Sequence, residues 1–208
     1  MFNFSSKTEV NKTLKLTDIY KQMNASKEVK QNASNVASVI LKNVISSFTL
    51  NTKESVEMKE FYIIEIILKN REIPVLFIQE LDKIIKIPTI FILKNDDYEF
   101  MCFCNKKALN RNYFDTNWTK AFYDIPLDVD VPSVYKFIIS KAMSYPYFEK
   151  ESINDYFNRY NQLKKLDFQI NKTSLAISHD NQSKKCFEYN KRLKEYKEEK
   201  NKLLEEVK

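Results

Sequence analysis

The 208-residue sequence contains no glycine, although glycine makes up about 7% of an average protein. Phosphate-cradling loops, dinucleotide-binding fingerprints and nucleophile elbows all need backbone conformations that glycine alone tolerates. The sequence therefore excludes these motifs and the protein classes that depend on them. Backbone positions in the left-handed region must fall to asparagine and aspartate, which tolerate that region next best.

Cysteine and histidine are also scarce, with three copies of the first and one of the second. Three cysteines do not form an even disulfide framework, and the N-terminal segment lacks the apolar run of a signal peptide. A reducing cytoplasm is therefore the expected location. No apolar stretch reaches about 18 residues without a charge, so we expect no membrane-spanning segment.

Charge is plentiful in both signs, with 34 basic and 28 acidic residues and a net charge of +6. This mild excess is compatible with a nucleic acid or an acidic protein as partner. The hydrophobic fraction of 43% and the charged fraction of 30% are typical of a folded protein. The length allows one domain of ordinary size with an appendage.

The densest apolar material lies in residues 59–106, where the pattern predicts a strand, a helix and two further strands. Seven of the nine residues 61–69 are apolar and many are β-branched, as is typical of a strand covered on both faces. Residues 73–86 are predicted as a helix. Residues 89–94 and 98–105 then form an antiparallel pair joined by a polar turn.

The flanking segments carry weaker patterns. Residues 1–26 are interpreted as an extended lead-in with one helical turn, and residues 27–43 as an amphipathic helix with one apolar stripe. Residues 45–51 are predicted as a strand, and residues 130–144 as a helix that Asp130 caps. Aromatic side chains crowd the loop-rich segment between the central region and this last helix.

The closing residues 151–208 contain no proline and are rich in lysine, glutamate, asparagine, leucine and tyrosine. Their last part follows the 3-4 spacing of a coiled-coil seam, through Cys186, Tyr189, Leu193, Tyr196, Lys200, Leu203 and Val207. An earlier set has heptad spacing in another phase, and the turn-forming run 178–183 separates the two. We predict two helices that fold back as an antiparallel hairpin, with one broken helix as the alternative.

The predicted fold class is therefore α/β. It comprises a small mixed β-sheet with packed helices in a core domain of residues 1–150. A coiled-coil-like antiparallel helical hairpin follows in the tail, residues 151–208.

Two sets of residues could carry metal chemistry. Glu65 and Lys69 lie on the same face of a strand, as in metal-dependent nucleases, although that chemistry needs a further carboxylate on a neighbouring strand. A charge pair at the strand end is the favoured interpretation. Cys102 and Cys104 could begin a zinc site, but His179 and Cys186 lie far along the chain. Buried structural cysteines are favoured, and no metal or cofactor is predicted.

Basic residues interleaved with aromatic ones are typical of single-stranded nucleic-acid binding, where rings stack on bases and cations meet phosphates. The candidates for this role are Lys106, Lys107, Arg111, Trp118 and Lys120. The alternative is that the aromatic rings pack over the sheet and the cations are solvated.

The apolar seam of the tail needs a partner, which is either the other helix of the tail or another chain. On the second alternative the partner-binding candidates are Tyr189, Leu193, Tyr196, Leu203 and Val207. Self-association through the tail is a further option.

Several stretches carry a resemblance to a known family: FNF and TEVNK in residues 2–12, FYIIEIILKN, YFDTNW, IPLDVDVPSVYKFII and the closing KKCFEYNKRLKEYKEEKNKLLEEV. Their order resembles an uncharacterised prokaryotic domain-of-unknown-function family, number 4391, whose members end in a Lys/Glu-rich helical tail. Members tend to be encoded beside SNF2-type helicases and type III-like DNA methyltransferases, in loci that look like phage defence islands. The resemblance implies a helicase or methyltransferase partner and no particular functional residues.

We therefore expect a non-catalytic accessory or adaptor subunit that docks onto a larger DNA-processing complex in phage defence. A protein partner is expected, DNA is a second candidate partner, and no membrane is involved. The alternatives are a divergent metal-dependent nuclease that uses Glu65 and Lys69, and a standalone single-stranded nucleic-acid binder.

Overall fold

The computed structural model describes residues 2–106, 112–126, 129–179 and 183–205, without the side chains of residues 179 and 183. The chain divides into two compact units, Met1–Ser144 and Tyr145–Lys208. Within the described ranges, no helix is both long and apolar enough to cross a bilayer.

The first unit contains strands and short helices in alternation. Its described strands are β1 (Phe2–Asn3), β2 (Glu9–Leu14), β3 (Val36–Ser46), β4 (Glu60–Leu68), β5 (Thr89–Asn95), β6 (Tyr98–Cys104), β7 (Tyr113–Asp115) and β8 (Tyr123–Asp124). Its described helices are α1 (Leu16–Met23), α2 (Lys27–Asn32), α3 (Ser47–Leu50), α4 (Val75–Ile84) and α5 (Val131–Ile139). The second unit contains α6 (Ile153–His179) and α7 (Ser183–Leu204).

Six of the strands form one mixed sheet in the order β2-β3-β4-β5-β6-β7. β4 and β5 are parallel, and the crossover between them is α4, while the other neighbours in this sheet are antiparallel. β1 and β8 form a separate parallel pair. The predicted α/β class with a mixed sheet is confirmed.

The central strand β4 is covered on both faces, as its sequence predicts. On one face Ile64 and Ile66 belong to a buried cluster with residues of α1, α2 and α4. On the other face Phe61 meets Tyr135 of α5 edge-on, with 5.2 Å between the ring centroids. Both Phe61 and Tyr135 are almost completely buried, and burial raises the pKa of the Tyr135 hydroxyl.

The predicted helix over residues 27–43 is wrong beyond its first turns. The helix ends at Asn32, a short 3-10 turn follows, and residues 36–46 form β3. Asn35 fixes this change of direction because its buried amide donates to the carbonyls of Asn70 (3.1 Å) and Glu72 (2.6 Å). Pairing with β4 along almost the whole of β3 outweighs the local helical pattern.

The predicted strand over residues 45–51 is also wrong. β3 already ends at Ser46, where a short helix, α3, begins. Ser46 and Thr49 form a capping box, in which each side chain binds the backbone N–H of the other residue. The serine and its capping partner three residues later therefore favour a helix over a strand in this segment.

The backbone meets the need for left-handed positions without glycine. Among the described residues, the positive-φ positions are Asn11, Asn24, Asn51 and Asp96. Asn24 and Asn51 end α1 and α3 in the left-handed region, and Asp96 lies in the turn between β5 and β6. The expectation that asparagine and aspartate take these positions is confirmed.

The second unit is a helical hairpin, as predicted. Asp167 on α6 binds Lys200 on α7 with 2.7 Å between Oδ1 and Nζ, and Arg159 Nη1 lies 3.5 Å from the carbonyl oxygen of Leu203. Earlier residues of α6 thus meet later residues of α7, which makes the two helices antiparallel.

Substitutions at Asn24 test how much the left-handed backbone conformation of a residue other than glycine costs in free energy of unfolding. Asn24 ends α1 with φ 48° and ψ 47°. Asn24→Ala should lower the free energy of unfolding by about 1 kcal/mol, because a β-carbon disfavours this conformation. Asn24→Gly should stay within about 0.5 kcal/mol of the original protein.

Urea titration followed by circular dichroism measures both changes. The exposed loop residue Asn117, which is not at a positive-φ position, is the matched control, and Asn117→Ala should have little effect. Equal losses for Asn24→Ala and Asn117→Ala would contradict this explanation.

Candidate functional site

The predicted seam of α7 is the half-buried face of that helix. Cys186, Tyr189, Leu193, Tyr196, Lys200 and Leu203 are half-buried, whereas the other described side chains of α7 are exposed. Since α6 and α7 pack against each other, the hairpin uses this seam internally. The partner-binding role predicted for these residues stays a prediction, and Val207 lies outside the described residues.

The first turns of α6 are held by a buried arginine. Arg159 is 9% exposed, and its guanidinium binds the Glu151 carboxylate at two points, 2.6 Å and 2.8 Å. It also donates to the carbonyl of Pro146 (2.7 Å) and lies over the ring of Phe148 (3.9 Å). Such a bidentate pair fixes geometry as well as charge, so it ties the entry segment to the helix.

A charged contact joins α6 and α7 farther along. Lys200 Nζ is 2.7 Å from Asp167 Oδ1, and the Tyr145 hydroxyl donates to Asp167 Oδ2 at 2.5 Å. Burial by itself raises the pKa of Asp167, but hydrogen bonds from Lys200 and Tyr145, with the lysine charge, bring it below its usual value. The hydrogen bond to Asp167 correspondingly raises the pKa of Lys200.

Beyond the seam, the hairpin exposes large apolar side chains. Phe168 is 67% exposed, Leu175 61% and Phe187 73%. Phe168 also lines a groove of about 430 Å³ between the helices, whose other lining residues are Lys165, Gln169, Lys172, Thr173, Ala176, Tyr189, Arg192 and Tyr196. The lining side chains therefore include three aromatic rings and three cations, without a carboxylate.

In the first unit, the structure places Lys106 inside an internal ion pair. Its ammonium lies 2.8 Å from the completely buried carboxylate of Asp82 and also donates to the carbonyls of Asp82 and Ile85 near the end of α4. Cys104 (3.0 Å) and Tyr113 (3.1 Å) donate to the same carboxylate. Lys106 thereby joins α4 to the end of β6, and its ammonium group is bound by groups of the fold itself.

Trp118 and Lys120 lie beside β6, where Thr119 pairs with Glu99. Trp118 packs against Phe100 with 5.6 Å between the ring centroids, whereas Lys120 is exposed. Lys120 Nζ is 4.7 Å from the centroid of the Tyr98 ring, and Arg71 Cζ is 3.7 Å from the same centroid. We call Arg71, Tyr98 and Lys120 the basic edge.

Sequence reasoning missed Arg71 and Tyr98 because both are distant from Lys120 in the chain. The strand pairing of Glu99 with Thr119 is what brings Lys120 beside Tyr98. The remaining nucleic-acid candidates, Lys107 and Arg111, lie outside the described residues. The nucleic-acid role of the five candidates stays a prediction.

Glu65 forms its charge pair with a lysine other than the expected one. Its carboxylate lies 2.6 Å from Lys94 Nζ, which also meets Glu99 at 3.1 Å. Burial alone lowers the pKa of Lys94, but its bonds to Glu65 and Glu99 raise it above the usual value. Lys69 instead donates to the carbonyl of Ser34 at 2.8 Å.

The two strand cysteines are buried, in agreement with the structural interpretation. Cys102 is 5% and Cys104 1% exposed, and burial raises the pKa of the Cys102 thiol. In the part of the chain that the structure describes, histidine, cysteine, aspartate and glutamate form no cluster of three that could hold a metal ion. The side chain of His179 lies outside that part.

The fold and these surfaces define an α/β protein with a C-terminal helical hairpin. The family model described as Domain of unknown function (DUF4391) matches residues 2–199, so the chain belongs to this family. No curated protein and no solved structure matches the chain at a significant level.

Removing the buried charge of Asp82 should be costly. Asp82→Asn leaves the Lys106 ammonium, only 10% exposed, without its counter-charge, and should lower the free energy of unfolding by about 3–5 kcal/mol. Urea titration of the full chain measures this loss. Adding Lys106→Met should restore part of it, because no buried charge then remains; a double variant no more stable than Asp82→Asn would contradict the ion-pair explanation.

The Asp167–Lys200 contact should make the hairpin sensitive to acid. Because the folded-state pKa of Asp167 lies below its unfolded value, its contribution is present above about pH 4 and is lost as the pH falls further. Asp167→Asn should lower the free energy of unfolding by about 0.5–1 kcal/mol at neutral pH.

Urea titrations of both proteins between about pH 3 and pH 7 measure the difference. The gap should be constant above about pH 5 and shrink below about pH 4. A gap that is independent of pH would show that the lost hydrogen bond from Tyr145, and not the charge, is responsible.

Proposed function

We propose that this protein is a non-catalytic accessory subunit that docks through its α6–α7 hairpin onto a larger DNA-processing enzyme, a helicase or a methyltransferase, in defence against phages. The observation that carries the proposal is the set of exposed apolar side chains on the hairpin, Phe168, Leu175 and Phe187. Exposed apolar groups beside polar ones are typical of protein interfaces. Family resemblance supports the choice of enzyme, because members tend to be encoded beside such proteins.

The hairpin is suited to docking because its fold leaves these side chains unused. The side chains at the heptad positions of α7, including Leu193 and Leu203, are already half-buried in the seam with α6. The three exposed side chains lie outside that seam and contribute little to holding the helices together. A partner surface that covers them would gain roughly 25 cal/mol for each Å² of apolar area removed from water.

A contact with single-stranded nucleic acid is the second candidate function, and the basic edge favours it. Arg71 and Lys120 lie near the face of Tyr98 and are exposed, and Lys120 also forms a surface ion pair with Asp97 at 3.2 Å. Cations next to an aromatic ring can bind phosphates while the ring stacks on a base. In an adaptor, the same edge would position DNA for the enzyme without reading its sequence.

The docking proposal predicts that three substitutions on the hairpin disrupt the complex. The full chain is mixed with an SNF2-type helicase or a type III-like methyltransferase from the same organism, and binding is followed by size-exclusion chromatography with light scattering. Replacing Phe168, Leu175 and Phe187 together by glutamine should weaken binding at least about tenfold, because apolar contact is lost while helix propensity is kept.

A matched control replaces exposed apolar residues of the first unit. Phe48 is 92% and Phe122 78% exposed, and the pair Phe48→Gln and Phe122→Gln should leave binding unchanged. Absence of any complex with either enzyme would overturn the proposal. A complex that the control variant loses, and the hairpin variant keeps, would move the docking surface to the first unit.

A further inference from the structure

We propose that the groove between α6 and α7 binds an acidic amphipathic helix of about three turns, supplied by the partner enzyme. This inference rests on the proposed function, because it names the segment through which that enzyme docks.

The charge of the groove selects an acidic occupant. Lys165, Lys172 and Arg192 contribute three cations to its lining, and none of the nine lining residues is acidic. The rest of α7 is different, since it carries glutamates among its lysines. A lining that holds cations and no carboxylate attracts a segment of the opposite sign and repels basic ones.

The shape of the groove selects a helix. The lining on α6 runs from residue 165 to residue 176, which corresponds to about 16 Å along a helix axis. Its apolar lining comes from Phe168, Ala176, Tyr189 and Tyr196, which alternate with the cations along each helix. An amphipathic helix fits this arrangement when its apolar side chains recur at i, i+3 or i+4 and i+7 and its carboxylates flank them.

The same lining is less suited to single-stranded nucleic acid. Binders of that class stack successive bases on several open ring faces. Here Phe168 is 67% exposed, but Tyr189 and Tyr196 are half-buried in the seam. One open ring gives one stacking position, whereas an apolar side chain of a docked helix can also contact ring edges.

The test uses the full chain and synthetic probes. The first probe is a fluorescein-labelled helical peptide of about 14 residues, with leucines on one face and glutamates flanking them; the second replaces every glutamate by lysine. Fluorescence anisotropy should show that the acidic peptide binds at least about tenfold more tightly than the basic one. Added salt should weaken the acidic complex.

Two charge-reversed variants locate the site. Lys172→Glu combined with Arg192→Glu should weaken binding of the acidic peptide at least about tenfold, because both residues line the groove. The control, Lys191→Glu with Lys197→Glu, makes the same change in net charge at exposed positions of α7 outside the groove. The control should stay within about twofold of the original protein, and circular dichroism checks that both variants keep their helices.

Other outcomes overturn the inference. Equal affinity for the two peptides would show a groove without charge preference. Tight binding of a single-stranded oligothymidylate that the groove variant loses would assign the groove to nucleic acid. Self-association of the original protein, lost in the groove variant, would make a second copy the occupant.

The inference and the proposed function can fail separately. An enzyme complex that survives Lys172→Glu with Arg192→Glu supports docking and overturns the groove as its site. An acidic peptide that binds the groove, with no complex of either enzyme, supports the preference for an acidic helix and overturns the adaptor function.

Discussion

The first unit depends on burying both faces of β4. Parallel pairing with β5 requires a crossover connection, which α4 supplies, and antiparallel pairing with β3 occupies the other edge. Each face then needs its own cover, provided by α1, α2 and α4 on one side and by α5 on the other. After Glu60 at its start, this apolar strand has one further charged residue, Glu65, and Lys94 on the adjacent strand compensates its charge.

The absence of glycine shapes the connections and the chemistry together. In the described part of the chain, the left-handed positions are Asn11, Asn24, Asn51 and Asp96. Asparagine and aspartate tolerate this conformation because their short polar side chains can hydrogen-bond locally. Without glycine-rich nests of backbone N–H groups, anion binding is left to helix N-termini and side-chain cations. This constraint directs attention to the basic edge and to the groove of the hairpin.

The sequence predicts those elements whose apolar pattern is strong and whose ends are marked by proline or turn-forming residues. It does not predict elements whose structure depends on pairing with a strand far away in the chain. β4, α4, β5, β6 and the hairpin were predictable because apolar runs, Pro74, Pro88 and a turn-forming break mark them. β3 was not, because its apolar spacing also fits a helix and only its pairing with β4 settles the matter. β2 is an exposed edge strand without an apolar face, so it gave no signal. The basic edge depends on residues that only the sheet brings together.

The hairpin shows what heptad spacing can establish about function. The spacing identifies the side chains that need an apolar neighbour, and α6 supplies that neighbour for the seam of α7. What spacing does not identify are the apolar residues outside the seam, Phe168, Leu175 and Phe187. Folding leaves these side chains in water, and the proposed partner would cover them. An adaptor of the proposed kind would therefore use residues outside the seam, while the coiled-coil pattern serves the hairpin itself.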